Sequence, residues 1–590
     1  MRALPLLLAA TLLAGRFAPA QNVSMPPAAP PDLILLDGVI YTGAGLAQGK
    51  PQTVEAMAIR DGKVMAVGAN AEIRRLAGPR TRIRDLRAAS AGVTVFPGFD
   101  DAHVHLGSAA TQLTNLDLAG TGSRRQMMDA VADYARQAPP GHWITGGHWD
   151  QTLWPEKKLP TRQELDRAAL GHPAFLVRVD GHIALANTAA LQAAGVTAQT
   201  QPPQGGAIDH DRHGRLTGIL RESAQELVEK VIPPPTPQER RRGLELAIAD
   251  ALANGVTSVQ DFSDWQDFLV FEQLEKEDKL NLRITEWIPF NEPLAEEIGQ
   301  RAHHPADDSM LHTGMLKGFL DGSLGSRTAA LTLPYADDPR NSGLPQFTQA
   351  ELNKMAVERA AAGFQLGFHA IGDRAVSMAL DALSQPGVPR AARNRIEHAQ
   401  VVAPSDVPRF RELGVIASMQ PSQLLTDMNW AEARLGPKRA ASSYPWKAFL
   451  DAGVPLAFGT DYPVEPISPY RGLYAAVTRM NEAGTKSYFP SQKIARGQAL
   501  DAYTQGSAYA EFAETAKGKL LPGYDADFIV VNRDLFTAPA QDLLHAQTLE
   551  TFVAGRQVYL ANVHLMPSSP TGLRGPRDRP AGISGWARTK

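Results

Sequence analysis

The stretch Phe96-Pro97-Gly98-Phe99-Asp100-Asp101-Ala102-His103-Val104-His105-Leu106 constrains this chain more than any other. Thr94-Val95-Phe96 reads as an arriving strand, Pro97-Gly98 bends it, and two histidines follow at positions i and i+2. Side chains on a strand alternate with period 2, so both imidazoles fall on one face. Two neutral imidazoles on one face are a metal-ligand pair that needs a third and a fourth ligand. Alone the pair is not specific, because His-x-His also arises on surfaces and in cores. Its meaning depends on what else the chain brings to the same place.

Three later segments end in a potential ligand. Gly363-Phe364-Gln365-Leu366-Gly367-Phe368-His369 and Asn394-Arg395-Ile396-Glu397-His398 end in histidine, and Val454-Pro455-Leu456-Ala457-Phe458-Gly459-Thr460-Asp461 ends in aspartate. Between residues 94 and 514 short apolar runs alternate with helical patterns, the βα signature of a parallel sheet or barrel. Candidate strands fall at 94–105, 174–181, 256–261, 281–288, 314–320, 364–369, 394–398, 415–419 and 455–460. That is one more than an eight-stranded barrel needs. The 174–181 segment is therefore assigned to an insertion of about 108–235, which closes on Pro233-Pro234-Pro235. In a barrel the C-terminal strand ends converge on one mouth. Singly, His369 and His398 fit structural histidines and Asp461 a turn cap, but five such residues at the same strand ends make a metal ring.

The flanks read differently. Leu33-Ile34-Leu35-Leu36-Asp37-Gly38-Val39-Ile40-Tyr41 is expected to be a hairpin turning at Asp-Gly, and residues 56–68 repeat the pattern around Asp61-Gly62. Comparable strands recur only at 527–531 and 550–559, so residues 32–93 and 515–563 are expected to build one composite β-sandwich around the barrel domain at 94–514. Arg2, the apolar run Ala3 to Gly15 and Ala18-Pro19-Ala20 form the pattern of a cleavable export signal over residues 1–20. A Pro- and Ala-rich leader follows to residue 31, and a Pro-, Gly-, Ser- and Arg-rich tail at 567–590 is expected to be disordered. The expected location is the periplasm or the exterior, with no stable membrane insertion.

Composition narrows the chemistry. The net charge of −3 comes without a large basic block, which argues against a nucleic-acid partner. The chain has no cysteine. That removes thiolate ligands, disulfides, a cysteine nucleophile and a lipid anchor on cysteine, leaving His, Asp, Glu and modified Lys as ligands.

At this point the sequence resembles the amidohydrolase superfamily, and within it family 3, the YtcJ-like branch that includes N-substituted formamide deformylase. The motifs are Pro97-Gly98-Phe99-Asp100-Asp101-Ala102-His103-Val104-His105, Lys317 to Ala329 (KGFLDGSLGSRTA), His369-Ala370-Ile371-Gly372-Asp373-Arg374-Ala375, Arg395-Ile396-Glu397-His398-Ala399 and Phe458-Gly459-Thr460-Asp461. The resemblance implies a (β/α)8 barrel with a composite sandwich. It also implies His103, His105, His369 and His398 as metal ligands and Asp461 as the catalytic, metal-facing aspartate. Lys317 matches a lysine that binuclear relatives carboxylate with CO2, since a carbamate ligates cations and an ammonium does not. A plain lysine pairing with Asp321 or another carboxylate is the alternative, and gives a site with one ion. Asp100 departs from the family pattern, which has an apolar residue there. It is expected either turned to solvent at a strand edge or as an extra polar contact near the site.

The implied activity is metal-assisted hydrolysis of a non-peptide C–N bond, amide or N-formyl, in a small molecule. Metal lowers the pKa of a bound water, and Asp461 takes its proton and returns it to the leaving nitrogen. Imidazole and carboxylate ligands favour zinc, one or two ions per chain, with iron, manganese and cobalt open. Deamination or lactone hydrolysis on the same fold, and a non-enzymatic periplasmic binding protein, are the competing functions. His148, Trp149 and His182 in the insertion and Arg327 after Lys317 are expected to meet substrate, each against a structural alternative. His303-His304 reads as a solvent-exposed loop pair. The oligomeric state stays open, a homodimer included.

Overall fold

A computed structural model describes residues 29–87, 92–178, 181–203 and 206–561. The proposed signal, most of the leader and the proposed disordered tail lie outside these residues. Eight parallel strands form the central sheet: Phe99–Val104, Val256–Asp261, Arg283–Pro289, Leu311–Phe319, Leu366–Ala370, Arg395–His398, Ile416–Met419 and Leu456–Phe458. The sheet closes where the first strand meets the residues after the eighth. Val104 bridges Tyr462, His105 N–H donates to Tyr462 O at 2.7 Å, and Asp461 N–H donates to His103 O at 2.8 Å. The architecture is the expected barrel. Segment 174–181 contributes instead to a separate six-stranded sheet of the insertion, as Phe175–Arg178.

Local signals position the helices between strands. Thr236 caps helix Pro237–Ala253, accepting from Glu239 N–H while Glu239 reaches back, with proline at the first turn. Helix Gln349–Ala361 begins the same way on Thr348 and Glu351.

The sandwich draws on both chain ends. One sheet orders Arg556–Leu560, Thr548–Val553, Phe528–Val531, Thr94–Pro97, Ile40–Tyr41 and Thr53–Val54; the other orders Lys63–Gly68, Ala56–Arg60, Leu33–Leu36 and Arg82–Asp85. Leu35, Met57, Phe528 and Phe552 fill the space between them. Two expectations need correction. The 94–105 segment is two strands: Thr94–Pro97 pairs within the sandwich, and only Phe99–Val104 enters the barrel. Gly98 permits the crossing, since a Cβ there would stand 2.1 Å from Thr257 Oγ1. Residues 33–41 are not a hairpin either. Leu33–Leu36 and Ile40–Tyr41 lie in opposite sheets, so Asp37-Gly38 carries the chain across the sandwich. A tight hairpin turn of this type needs positive φ at both central residues. Asp61 and Gly62 supply it at 51° and 75° and form a true hairpin, whereas only Asp37 does so in the first case. Among the described residues no helix is long and apolar enough to cross a membrane.

Candidate metal centre

The residues expected to ligate metal come together at the C-terminal mouth. His103 and His105 come from the first strand and Lys317 from the fourth. His369 and His398 come from the fifth and sixth, and Asp461 follows the eighth. Ring centroids of His103 and His105 lie 5.3 Å apart, His103 and His398 4.9 Å, and His398 and His369 4.5 Å. Asp461 Oδ1 stands 3.2 Å from His105 Nε2 and 3.7 Å from His103 Nε2. Nitrogen and oxygen atoms of His103, His105 and Asp461 fall within 4.8 Å of one another, tight enough for one cation.

The donor set fits such a cation because its outward nitrogens are already engaged. His103 Nδ1 meets Glu397 Oε2 at 2.8 Å, His105 Nδ1 meets Phe262 O at 2.9 Å, and His398 Nδ1 meets Gln420 Oε1 at 2.8 Å. Each acceptor fixes the proton on Nδ1 and leaves Nε2 for a ligand, the usual outer-partner arrangement around metal-binding imidazoles. His369 is turned the other way, with Nε2 3.2 Å from Gly322 O, so Nδ1 is its free nitrogen. Burial holds the His103 and His369 imidazoles well below their ordinary range, helped by the Lys317 charge, and brings His398 to about 4. All three are therefore neutral, the form that ligates. Burial alone would raise the Asp461 carboxyl. The side chains of His105, His103 and His398 that face it outweigh this and hold Asp461 below the usual carboxylate range.

Lys317 is 1% exposed and its Nζ lies 3.0 Å from His103 Nε2, with Trp287 and Phe319 ring centroids at 5.1 and 5.0 Å. Burial pulls its amine down to about 8. Asp321 is not its partner, because its carboxylate accepts backbone N–H groups of Ala330, Ile371 and Gly372 at 2.8, 3.0 and 2.8 Å.

Supporting residues escaped the sequence reading. Glu397 joins His103 to the buried Arg395, whose Nε donates to Glu397 Oε1 at 2.8 Å. Asp101 accepts from His103 N–H at 3.2 Å and from Thr460 N–H at 2.9 Å, tying the first strand to the eighth. Gln423 donates to Asp461 Oδ2 at 2.8 Å. His398 and Asp461 hold φ of 71° and 61°, strained for residues with a Cβ and costing about 1–3 kcal/mol each. Strain kept at two ring positions is a functional mark. Gly459 allows the eighth strand to approach, since its Cβ would stand 2.6 Å from His103 N. Asp261, at the end of the second strand, and Glu286, midway along the third, are buried beside each other, and each has one oxygen without another partner. Burial lifts both, Asp261 to about 6 and Glu286 well above its usual range, with the Asp261 charge adding to the shift of Glu286. The signal for these residues was weak because each partner lies on another strand.

A cavity of about 560 Å³ opens on His105 and is lined by Phe262, Trp265, Trp287 and Phe319 together with the charged Arg240, Asp264, Asp267, Glu286 and Glu292. None of the four predicted substrate residues lines it. Trp149 is fully buried in the insertion core beside Trp154, its indole N–H donating to Leu176 O at 2.9 Å, so it packs and offers substrate no face. Arg327 is spent on Asp337, with bonds of 3.1 and 3.0 Å. His148 and His182 are exposed beside Asp117 at 3.5 Å and Glu222 at 3.0 Å. Asp100 is buried, not at a solvent-facing edge. It lies near the start of the first strand, 3.3 Å from Lys517 Nζ, in a network with Glu511 and Gln260 away from the mouth. His304 is buried as well, while His303 is exposed.

Barrel, sandwich and a His–His–Asp cluster at the strand ends define a metal-dependent hydrolase. The model of the amidohydrolase family matches residues 90–559, and the chain belongs to that family. It is 34% identical over 545 residues to the protein LONG AFTER FAR-RED 3 of Arabidopsis thaliana, covering 90% of this chain and 91% of that one. It is 26% identical over 543 residues to N-substituted formamide deformylase of Arthrobacter pascens, covering 89% and 97%. A solved uncharacterized metal-dependent hydrolase from Pyrococcus furiosus superposes with a TM-score of 0.72 at 31% identity, over 86% of this chain and all of the other. The chain is thus an amidohydrolase acting on non-peptide C–N bonds of a small molecule with metal-activated water.

Proposed function

We propose that this chain hydrolyses the amide or N-formyl bond of a small molecule bearing an apolar nitrogen substituent. The observation that carries this reading is the cavity with aromatic walls that opens onto His105, whose Nε2 stands 3.2 Å from Asp461 Oδ1. Its volume lies within the range of small-molecule sites, and its aromatic walls suit an apolar group. The similarity to a formamide deformylase supports the same bond type.

His103, His105, His369, His398 and Asp461 would hold zinc, and Lys317 as a carbamate would hold a second ion. The bound ion supplies Lewis acidity and a water whose pKa is lowered toward neutrality. Asp461 Oδ1, ionised and facing the ligand cluster, takes the proton of the attacking water and delivers it to the leaving nitrogen. Gln423 holds the other oxygen of Asp461 and so sets the angle of transfer. Glu397 keeps the His103 proton on Nδ1. The Phe262, Trp287 and Phe319 rings form the apolar part of the wall beside His105. Lys317 favours this reading over mononuclear deamination, because its low amine pKa gives the neutral form that reacts with CO2.

Residues 32–97 with 515–561 act as the sandwich domain and 98–514 as the hydrolase domain. The Arg2 to Ala20 pattern supports an exported, periplasmic or secreted enzyme, and the charge of −3 supports work without nucleic acid. A homodimer is compatible with these properties. The test is metal analysis of purified protein followed by a screen of N-substituted formamides, N-acyl amines and hydantoin-like rings. Release of formate or another acid, absent in Asp461→Asn, is expected. Metal-replete protein that prefers lactones, deaminates, or binds without turnover overturns the proposal.

A further inference from the structure

Away from the mouth, helix Trp265–Lys276 faces the loop that joins helix Leu294–Arg301 to strand Leu311–Phe319. His304 lies in that loop with its side chain only 8% exposed. Its Nδ1 is 2.9 Å from Glu272 Oε1, so the carboxylate fixes the ring proton on Nδ1. Nε2 then carries a lone pair. It is buried and has no hydrogen-bond partner, and it points at Glu275 Oε2, 3.4 Å away, and Asp308 Oδ2, 3.7 Å away. Three electron-rich atoms converge with nothing positive between them. Burial and the neighbouring Asp308 charge push the Glu275 carboxyl up, which marks the same crowding.

A divalent cation between these atoms resolves the arrangement. Zinc–ligand bonds of about 2.0–2.2 Å in tetrahedral geometry place ligand atoms roughly 3.3–3.6 Å apart. The two measured separations straddle the upper end of that range, and all three atoms lie within 4.8 Å. Glu272 supplies the outer carboxylate behind the imidazole. One imidazole and two carboxylates match a zinc-type ion better than calcium, which takes six to eight oxygens. We propose that Glu275, His304 and Asp308 form a structural divalent-cation site, separate from the centre in the barrel mouth. It joins the 302–310 loop to the helix whose Trp265 walls the cavity. His303 lies edge-on to that indole at 5.3 Å, so the staple steadies the cavity wall. The competing occupant is a proton, making His304 an imidazolium among carboxylates.

The test strips the full-length protein with chelator, reloads it with Zn²⁺ and counts metal per chain by elemental analysis. Glu275→Gln with Asp308→Asn leaves the Asp308 Oδ1 bonds to Met310 and Leu311 N–H available to the amide. This double variant is expected to hold one zinc fewer than the wild type and to lose part of the zinc-induced rise in Tm. Equal metal counts in the two proteins overturn the proposal and leave the proton in place. Anomalous scattering from crystals of Co²⁺-loaded wild type reads the same question without a variant. A peak beside His304 Nε2 supports the site, and peaks confined to the barrel mouth refute it.

Discussion

Glu397→Gln probes the buried relay behind the first ligand. One carboxylate oxygen meets His103 Nδ1 and the other accepts from Arg395 Nε, both at 2.8 Å. None of the three residues is more than 1% exposed. An amide has one acceptor oxygen and places an NH2 group against the second donor, so one bond becomes a donor–donor contact. Arg395 otherwise meets Ala102 O, Ser418 Oγ and Gln260, all neutral, and is left as an unpaired buried cation. Removing one member of a buried pair costs about 3–5 kcal/mol. Losing the outer partner of a metal-ligating histidine lowers metal affinity about 10–100-fold, or ~1.4–2.7 kcal/mol. The two effects separate experimentally. Denaturant unfolding of the metal-free protein should show the first, and competition with a chelator in the folded range should show a metal Kd raised by the second. A folded variant whose metal Kd stays within about twofold of wild type, well below the expected range, refutes the relay.

Asp461→Asn should retain metal while kcat falls by about 10²–10⁴, the usual worth of a positioned general base; near-normal turnover at unchanged metal content would remove Asp461 from that role. Lys317 ionises at about 8 in the fold against an ordinary 10.5, so below about 8 the buried ammonium carries its full penalty. The unfolded chain binds more protons between those values, and the metal-free protein should gain stability as pH rises through them, a trend that Lys317→Met abolishes. The neutral amine fraction rises from about 3% at pH 6.5 to about 76% at pH 8.5. At equal dissolved CO2, zinc reactivation should therefore be roughly 25-fold faster at the higher pH, and reactivation indifferent to CO2 sinks the carbamate. Lys517→Met strands Asp100 and Glu511 and should cost about 3–5 kcal/mol in denaturant unfolding while metal content holds; loss of metal would contradict the separation of that network from the mouth.

The ligands were legible because strand periodicity and barrel topology together dictate where a residue at a strand end goes. His103, His105 and Asp461 needed nothing more. Nothing in the sequence marks Glu397 beyond its motif, since its partner His103 is remote in sequence and the contact exists only across the closed barrel. Trp149 misled because glycine neighbours suggest a loop, whereas the insertion builds its own core around that indole. Asp100 and His304 misled for a common reason. Charge and local polarity favour solvent, but buried partners supplied by other elements, Lys517 for one and Glu272 for the other, reverse that preference. The Asp37-Gly38 turn failed at a finer level, where the sign of one φ separates a hairpin from a crossing.

Strand Thr94–Pro97 pairs on one side with Ile40–Tyr41 and on the other with Phe528–Val531, then runs through Gly98 into the strand that bears His103. During synthesis the second of these neighbours leaves the ribosome after every metal ligand has already emerged. The entropy of closing so long a loop grows only logarithmically with its length, so waiting is thermodynamically tolerable. The order of events is nevertheless fixed: the anchor of the first ligand strand is completed last. Maturation of the centre thus becomes a checkpoint on full-length synthesis, and a chain stopped short of Phe528 would carry the whole ligand set without the sheet that holds its first pair in register.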